Sequence, residues 1–293
     1  MDYMTAKVCC FARAYHYKNN QTYIFEDSVA GELLGNDYDE IAQNMSDGLD
    51  FFFPNFEGTM EAGLRLIVDK QLSPSVLARS AYSENKLANE KKRGCKQYLI
   101  FASGYDTFSI RNTDNLLSVY ELDLPELLAD KVERIEKAKM KSRAKYVPCN
   151  LAETTWKNKL MGNGYRKEQQ SFGSLLGISY YLKKDEFRKL LTNINDIMAE
   201  GSVICFDYPS TNESNETKTN RILAFGAGEQ MKALYSYAEI KSFLQKCGFE
   251  LLEHRNDRKI TKQYFSKYNK GNPMHRMQAP VGVAYVLAMK RTH

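Results

Sequence analysis

Short apolar runs alternate along most of the chain with longer stretches in which apolar residues recur every three or four positions. Residues 97–102, 116–122, 146–149, 202–207, 249–254 and 281–289 are short apolar runs of strand type, and 172–181 contains another. Helix-like segments lie between them. In 125–139, Leu127, Leu128, Val132 and Ile135 fall on one side, and Pro125 occupies the first turn, where a missing N–H costs little. In 184–199, Phe187, Leu190, Leu191, Ile194 and Ile197 keep helical spacing. Residues 237–247 form a further helix that Gly248 closes. This alternation predicts an α/β fold with a Rossmann-like, doubly wound, mostly parallel sheet. The last two strands are joined by a long connection, 255–280, without an evident crossover helix, so an antiparallel edge strand is expected there.

The first 75 residues have another texture, with mixed apolar and acidic segments and no clear strand run. Pro54 follows Phe51-Phe52-Phe53 and disfavours helix at Phe53. Residues 60–71 suit an amphipathic helix through Met60, Leu64, Leu66, Ile67 and Val68. The division expected is a mostly helical cover or lid over 1–75 and the sheet domain over 76–293. The polar stretch 212–220 reads as a mobile surface loop.

Composition narrows the function classes. The chain has 293 residues, 43% hydrophobic and 26% charged, enough to bury a core and a cofactor-sized cleft. The net charge is only +5, and much of the excess is local, in Lys91-Lys92-Arg93 and 137–145. Both runs read as solvated surface, because a nucleic-acid footprint needs a continuous basic face with stacking groups. None of the six cysteines forms a CxxC pair or lies at metal-ligand spacing to a His, so no metal is expected. Cys149 and Cys205 sit in apolar runs and read as core residues. No apolar run approaches about 18 residues and no cleavage-site pattern opens the chain, so no membrane span and a reduced cytoplasmic setting are expected.

Doubly wound sheets bind ligands at the carboxyl ends of their strands. The turn Ala102-Ser103-Gly104 ends the first strand, and small residues let a backbone approach a ligand closely. About 20 residues on, Asp123 ends the second strand, where a carboxylate can accept from both hydroxyls of a ribose.

The run 97–107 with its "GYDT", followed by "ELDLPE" at 121–126 and Lys131, resembles the leucine carboxyl methyltransferase family of class I S-adenosylmethionine (SAM)-dependent enzymes. That family includes protein phosphatase 2A methyltransferases and bacterial O-methyltransferases linked to polyketide-type metabolism. The likeness continues through Asn150-Leu151, Trp156, Leu160, Gly164-Tyr165, Tyr181-Leu182 and 235–248, and more loosely through Ala12-Arg13-Ala14 and Asp27 in the N-terminal cover. It implies SAM as cofactor, S-adenosylhomocysteine (SAH) as product and no metal. It places Arg79 at the cofactor's methionine carboxylate, Ala102 and Gly104 at the turn, Asp123 at the ribose, and Asn150 and Leu151 at the adenine. Two positions depart from the family. Ala102-Ser103-Gly104 stands where Gly-Ala-Gly is usual, and a methyl at Ala102 forbids a cheap positive φ. Leu176 stands where the family has a Glu before Gly177, so a carboxylate near the methionine or substrate end is missing.

Methyl transfer to an acid needs no base, since a carboxylate is already anionic at neutral pH, whereas an alcohol or phenol needs one. His16, His254, His275 and His293 are scattered and read as structural or surface groups. Tyr105 and Tyr181 fall near the expected acceptor pocket and are candidates to orient a substrate. The reading is therefore a methyltransferase acting on a carboxylate or hydroxyl oxygen of a small molecule. The alternatives are a protein C-terminal carboxyl methyltransferase and, given Ala102 and Leu176, a non-catalytic SAM-fold binding module.

Overall fold

The computed structural model describes residues 3–212, 215–226 and 230–292. Seven strands form one sheet in the order β3-β2-β1-β4-β5-β7-β6. They are β1 (Gln97–Phe101), β2 (Ser118–Asp123), β3 (Ala144–Pro148), β4 (Ser171–Leu175), β5 (Val203–Pro209), β6 (Phe249–Arg255) and β7 (Val283–Lys290). The first five pair in parallel, while β7 runs antiparallel to both β5 and β6. The antiparallel strand thus lies just inside the edge, which β6 occupies.

Side chains alternate across the sheet. Leu99, Phe101, Tyr120, Leu122, Ile204 and Phe206 join one buried cluster, and Tyr98, Ile100, Val119, Phe172, Val203 and Cys205 join the other. Both faces are covered, which is why these strands read as unbroken apolar runs. Cys149 and Cys205 are core residues, 2% and 0% exposed.

Helix α1 (Met4–Lys18) opens the chain. Three short helices follow, the last ending at Phe52 before an extended Phe53, as Pro54 requires. Helices α2 (Met60–Ile67) and α3 (Ser73–Lys92) are joined by a π-helical turn, Val68–Leu72, so residue 75 falls inside a continuous helical stretch. Then come α4 (Pro125–Lys137), α5 (Lys184–Ile197), α6 (Asn215–Gly226) and α7 (Tyr237–Lys246). Gly248 takes φ +80° beyond α7, the left-handed stop its position predicted. Among the described residues, no helix is long and apolar enough to cross a membrane.

The stretch 172–181 contains a strand as expected, and β4 stops at Leu175, because Gly177 turns the chain with φ +70°. Three expectations need correction. The second strand begins at Ser118, not 116; Leu116 is 77% exposed in a turn held by Asn112 and Asp114 side chains. The polar stretch 212–220 is helical from Asn215 onward, while Glu213 and Ser214 lie outside the described residues. The connection 255–280 holds helices Asp257–Ile260 and Ser266–Gly271 around a π turn, Thr261–Phe265, which buries Ile260, Phe265 and Tyr268. The extra residue in a π turn breaks the 3.6 period, so the sequence pattern misses the helix there.

The N-terminal helices are fastened to the β1 turn by one carboxylate. Asp27 is fully buried and accepts from Arg13 Nε and Thr107 Oγ1, each at 2.7 Å, with Arg111 Nε 3.6 Å from its other oxygen. Arg13 also donates to the Tyr105 carbonyl at 2.6 Å. Burial pushes the Asp27 carboxyl up, but Arg13, Arg111 and the Thr107 hydroxyl outweigh it and hold it below the ordinary range.

Asp27→Asn leaves the buried Arg13 without its counter-charge and Arg111 with Glu84 alone, and is expected to cost about 3–5 kcal/mol at neutral pH in urea unfolding. A depressed carboxyl contributes stability that is full above its unfolded pKa and lost as pH falls through the folded one. The wild type should therefore lose stability in acid below about pH 4 more steeply than the Asn variant. Equal acid losses would show that the network carries no charge coupling.

Candidate active site

Register alone brings the sequence-predicted residues to one edge. Phe101 pairs with Leu122 and Leu175, Asp123 with Pro148, and Leu175 with Phe206. Asn150, Asp123, Ala102, Gly177 and Asp207 therefore follow one another across the carboxyl ends of β3, β2, β1, β4 and β5, at about 4.8 Å per strand. Strand order reverses between β1 and β4, the switch point where a doubly wound sheet opens a crevice.

The β1 turn is built to receive something close to its backbone. Ala102 and Gly104 take φ +52° and +48°. The methyl of Ala102 was expected to make a positive φ costly; the chain adopts one, at a cost of about 1–2 kcal/mol. Ser103 N–H donates to the Leu122 carbonyl at 3.2 Å, while the buried Ser103 hydroxyl has no partner among the described residues. Asp123 is 9% exposed; its carboxylate accepts from the N–H of Gly104 and of Leu124, both at 2.7 Å. Burial pushes this carboxyl up, and the two backbone bonds oppose the shift. Beneath lies a fully buried ion pair of Glu121 and Lys131, with Ser109 donating to Glu121 at 2.6 Å. Lys131 thus anchors α4 to β2 directly behind the turn.

Arg79 projects from α3 toward the β4 turn. Its side chain is 16% exposed. A guanidinium carries five N–H donors, yet among the described residues only Cys9 Sγ, at 3.0 Å, lies within hydrogen-bond reach, and Asp207 Oδ2 stands off at 3.8 Å. A largely buried cation this short of acceptors is matched to an anion from outside the chain. Gly177 beside it takes φ +70°, a conformation that favours glycine, and a Cβ there would push the Arg79 guanidinium aside.

The remaining candidates divide. Tyr181 lines a cavity of about 70 Å³ together with Arg79, Gly177, Tyr180, Met231 and Pro280. Asn150 is exposed past β3 and its Oδ1 already accepts from Ala152 N–H at 3.0 Å, which leaves one lone pair; Leu151 packs partly buried beside it. Tyr105 is not gathered into that cavity. It is 2% exposed under the N-terminal helices, and its hydroxyl donates to Asp130 at 2.5 Å. Burial leads the rise of its pKa, and Asp130 adds to it.

Sequence reasoning missed Asp207 and the position of α1. Asp207 is fully buried and accepts from Gly177 N–H at 2.7 Å and Tyr180 Oη at 2.9 Å. It lies two residues before the end of β5, and its signal was a lone carboxylate in the buried run of a strand near the switch point. Helix α1 crosses over the crevice: Ala6 Cβ would lie 3.4 Å from a Cβ on Gly104, and Cys9 reaches Arg79. The histidines stay apart. Burial pulls His16 down to about 3, where its neutral Nε2 accepts from Ile24 N–H, and His254 pairs with Tyr208 Oη. Among the described residues, no three His, Cys, Asp or Glu side chains converge on a metal-sized site.

Comparison with known proteins agrees with this geometry. The family model described as leucine carboxyl methyltransferase matches residues 6–195. YktD of Bacillus subtilis (strain 168), whose name gives it as a candidate SAM-dependent methyltransferase, is 31% identical over 303 residues, covering 98% of each chain. A similarly named protein of Mycobacteroides abscessus is 27% identical over 164 residues, 55% of this chain and 53% of that one. In three dimensions, a duf574 family protein of Streptomyces avermitilis superposes with a TM-score of 0.60 at 13% identity, over 98% of this chain and 97% of that one. Magnesium protoporphyrin IX methyltransferase of Synechocystis PCC 6803, solved with bound SAH, gives 0.50 at 8% identity, over 87% and 97%. At these identities the two structures show a shared fold.

Ala102→Gly removes the positive-φ strain and gives back part of the gain as backbone entropy. The expected net effect is a stabilisation of about 0.5–1 kcal/mol, read as a higher urea midpoint at unchanged slope. A lower midpoint would mean that Ala102 is not strained.

Proposed function

The chain belongs to the leucine carboxyl methyltransferase family and is a SAM-dependent methyltransferase; from that premise we propose that it methylates a carboxylate or hydroxyl oxygen of a small molecule. The observation that carries the site assignment is Arg79, a largely buried guanidinium short of acceptors, at the opposite end of one strand-end row from Asp123 and Asn150. The methionine carboxylate of the cofactor supplies the missing anion. Asp123 accepts from the ribose hydroxyls, Ala102 and Gly104 admit the cofactor close to the backbone, and Asn150 and Leu151 border the adenine. When bound, the cofactor supplies a methyl group made electrophilic by its sulfonium.

The cavity beside Arg79 and Gly177 supports a small acceptor. Its walls are Tyr180, Tyr181, Met231, Pro209, Pro280 and Val283. It is small and largely apolar, which suits a compact acid and offers little to an extended peptide. Tyr181 orients the acceptor, and α1 with the residues that Asp27 ties down keeps water out of the crevice. Among the described residues, no histidine lines the cavity. A carboxylate acceptor needs no base, so we take small carboxylic acids as the favoured substrates and phenols or alcohols as the second class. We propose further that it acts on metabolites in a reduced cytoplasmic setting, without metal.

The test is transfer of labelled methyl from SAM to a panel of small acids and phenols. With a carboxylate acceptor the rate should stay flat between about pH 6 and 9, because the acceptor is ionised throughout. A rate that climbs with pH would point to a hydroxyl acceptor, and no transfer to any acid or phenol would contradict the acceptor class. Asp123→Ala should weaken SAH binding at least about tenfold by calorimetry, the loss of one charge-assisted contact; unchanged affinity would misplace the ribose site.

A further inference from the structure

Residues 255–276, in the connection between β6 and β7, hold seven Lys or Arg and a single acid, Asp257, so this one segment carries +6 where the whole chain carries +5. Arg255 pairs with Glu253. The other six, Arg258, Lys259, Lys262, Lys267, Lys270 and Arg276, are exposed, and among the described residues none of them pairs with an acid. Elsewhere cations are commonly compensated: Lys7, Lys86, Lys91, Lys157 and Lys184 each meet a carboxylate at 3.0 Å or less. The segment is also rigid. Ile260, Phe265 and Tyr268 lie fully buried beneath it, so the cations sit on the outer side of a packed helical stretch and not on a loose tail. Asn269 then clamps Met277 from both directions: its amide donates to the Met277 carbonyl at 2.7 Å, and its Oδ1 accepts from the Met277 N–H at 2.9 Å. The clamp closes 270–276 into a loop, on which Met274 stands 87% exposed between Lys270 and Arg276.

Unpaired cations around a projecting apolar side chain have the chemistry of a peripheral membrane contact. The cations meet lipid phosphates while the apolar group enters the headgroup layer. Nucleic acid offers the same phosphates, but single strands are held by rings that stack on bases. Here Phe265 and Tyr268 are buried, and Tyr264 turns inward onto Tyr82 and Asn85 of α3. The run 137–145 is as basic, but Glu133 and Glu136 border it, Lys137 pairs with Glu133, and among the described residues it exposes no large apolar side chain. We propose that residues 258–276 form a docking surface for an anionic phospholipid membrane, held by the six cations and by insertion of Met274. The contact is peripheral and reversible, and it does not depend on the methyltransferase reading.

The experiment is co-sedimentation of the full chain with vesicles of about one-third phosphatidylglycerol in phosphatidylcholine, beside vesicles of phosphatidylcholine alone. The wild type should bind the first and not the second, and about 0.5 M salt should release it. The triple variant Lys262→Gln, Lys267→Gln, Lys270→Gln should bind about a hundredfold more weakly, and Met274→Ser about three- to tenfold more weakly. The charge-matched triple variant Lys139→Gln, Lys141→Gln, Arg143→Gln should stay within about threefold of the wild type. A wild type that fails to bind the anionic vesicles overturns the proposal without any variant. So does an equal loss in the two triple variants, which would reduce the attraction to net charge. Tighter binding to a DNA duplex than to the vesicles, at equal phosphate, would overturn it as well.

Discussion

The carboxylate of Asp27 sits where three parts of the chain meet. It comes from the loop after α1, takes Arg13 from α1 and Thr107 from the segment following the β1 turn, and faces Arg111 one helical turn further on. Arg111 in turn is paired with Glu84 on α3. This buried network joins the N-terminal helices, the β1 turn and the helix that carries Arg79. A buried charge group of this kind is tolerated only because each member has counter-charges in place, so it also fixes the distances among the elements it links. The crevice takes its shape from that linkage, and α1 lies across it because Arg13 holds it there.

The site itself is organised by strand register. A parallel sheet delivers the ends of β3, β2, β1, β4 and β5 at regular spacing, and each supplies one contact of a different kind. Asp123 is a buried acceptor already aligned by two backbone N–H groups. Arg79 is a buried donor that its surroundings leave short of acceptors. One end of the row therefore suits hydroxyls and the other an anion, which is the polarity of a nucleoside joined to an amino acid. The strain held at Ala102 belongs to the same design, since the turn keeps a conformation proper to glycine where the backbone must be approached closely.

Much of this was legible in the sequence. The five parallel strands stood out because burial on both faces makes each an unbroken apolar run, and Asp123 followed the β1 turn at the distance a strand–helix–strand unit imposes. Ala102 and Gly104 stood out as a small-residue turn at a strand end, while Arg79 and Asn150 were found through family resemblance. Three features were hidden for physical reasons. The helices after Asn256 contain a π turn that breaks the 3.6 period on which helix recognition depends. Asp207 comes from a strand distant in sequence from Leu176, so no local motif joins them, and only the sheet brings them together. Tyr105 lies beside the turn in sequence, but its side chain is drawn under α1 by Asp130 and Arg134, and sequence proximity could not reveal that direction.

The central claim is that a SAM-type ligand lies along the carboxyl edge, between the β1 turn and the β4 turn and beneath α1. Amide hydrogen exchange with and without SAH tests it most directly. The account predicts slower exchange in three segments at once, 4–18, 102–107 and 176–181, with little change in the distant helix α5. Protection confined to other segments, or absent at saturating SAH, would contradict it.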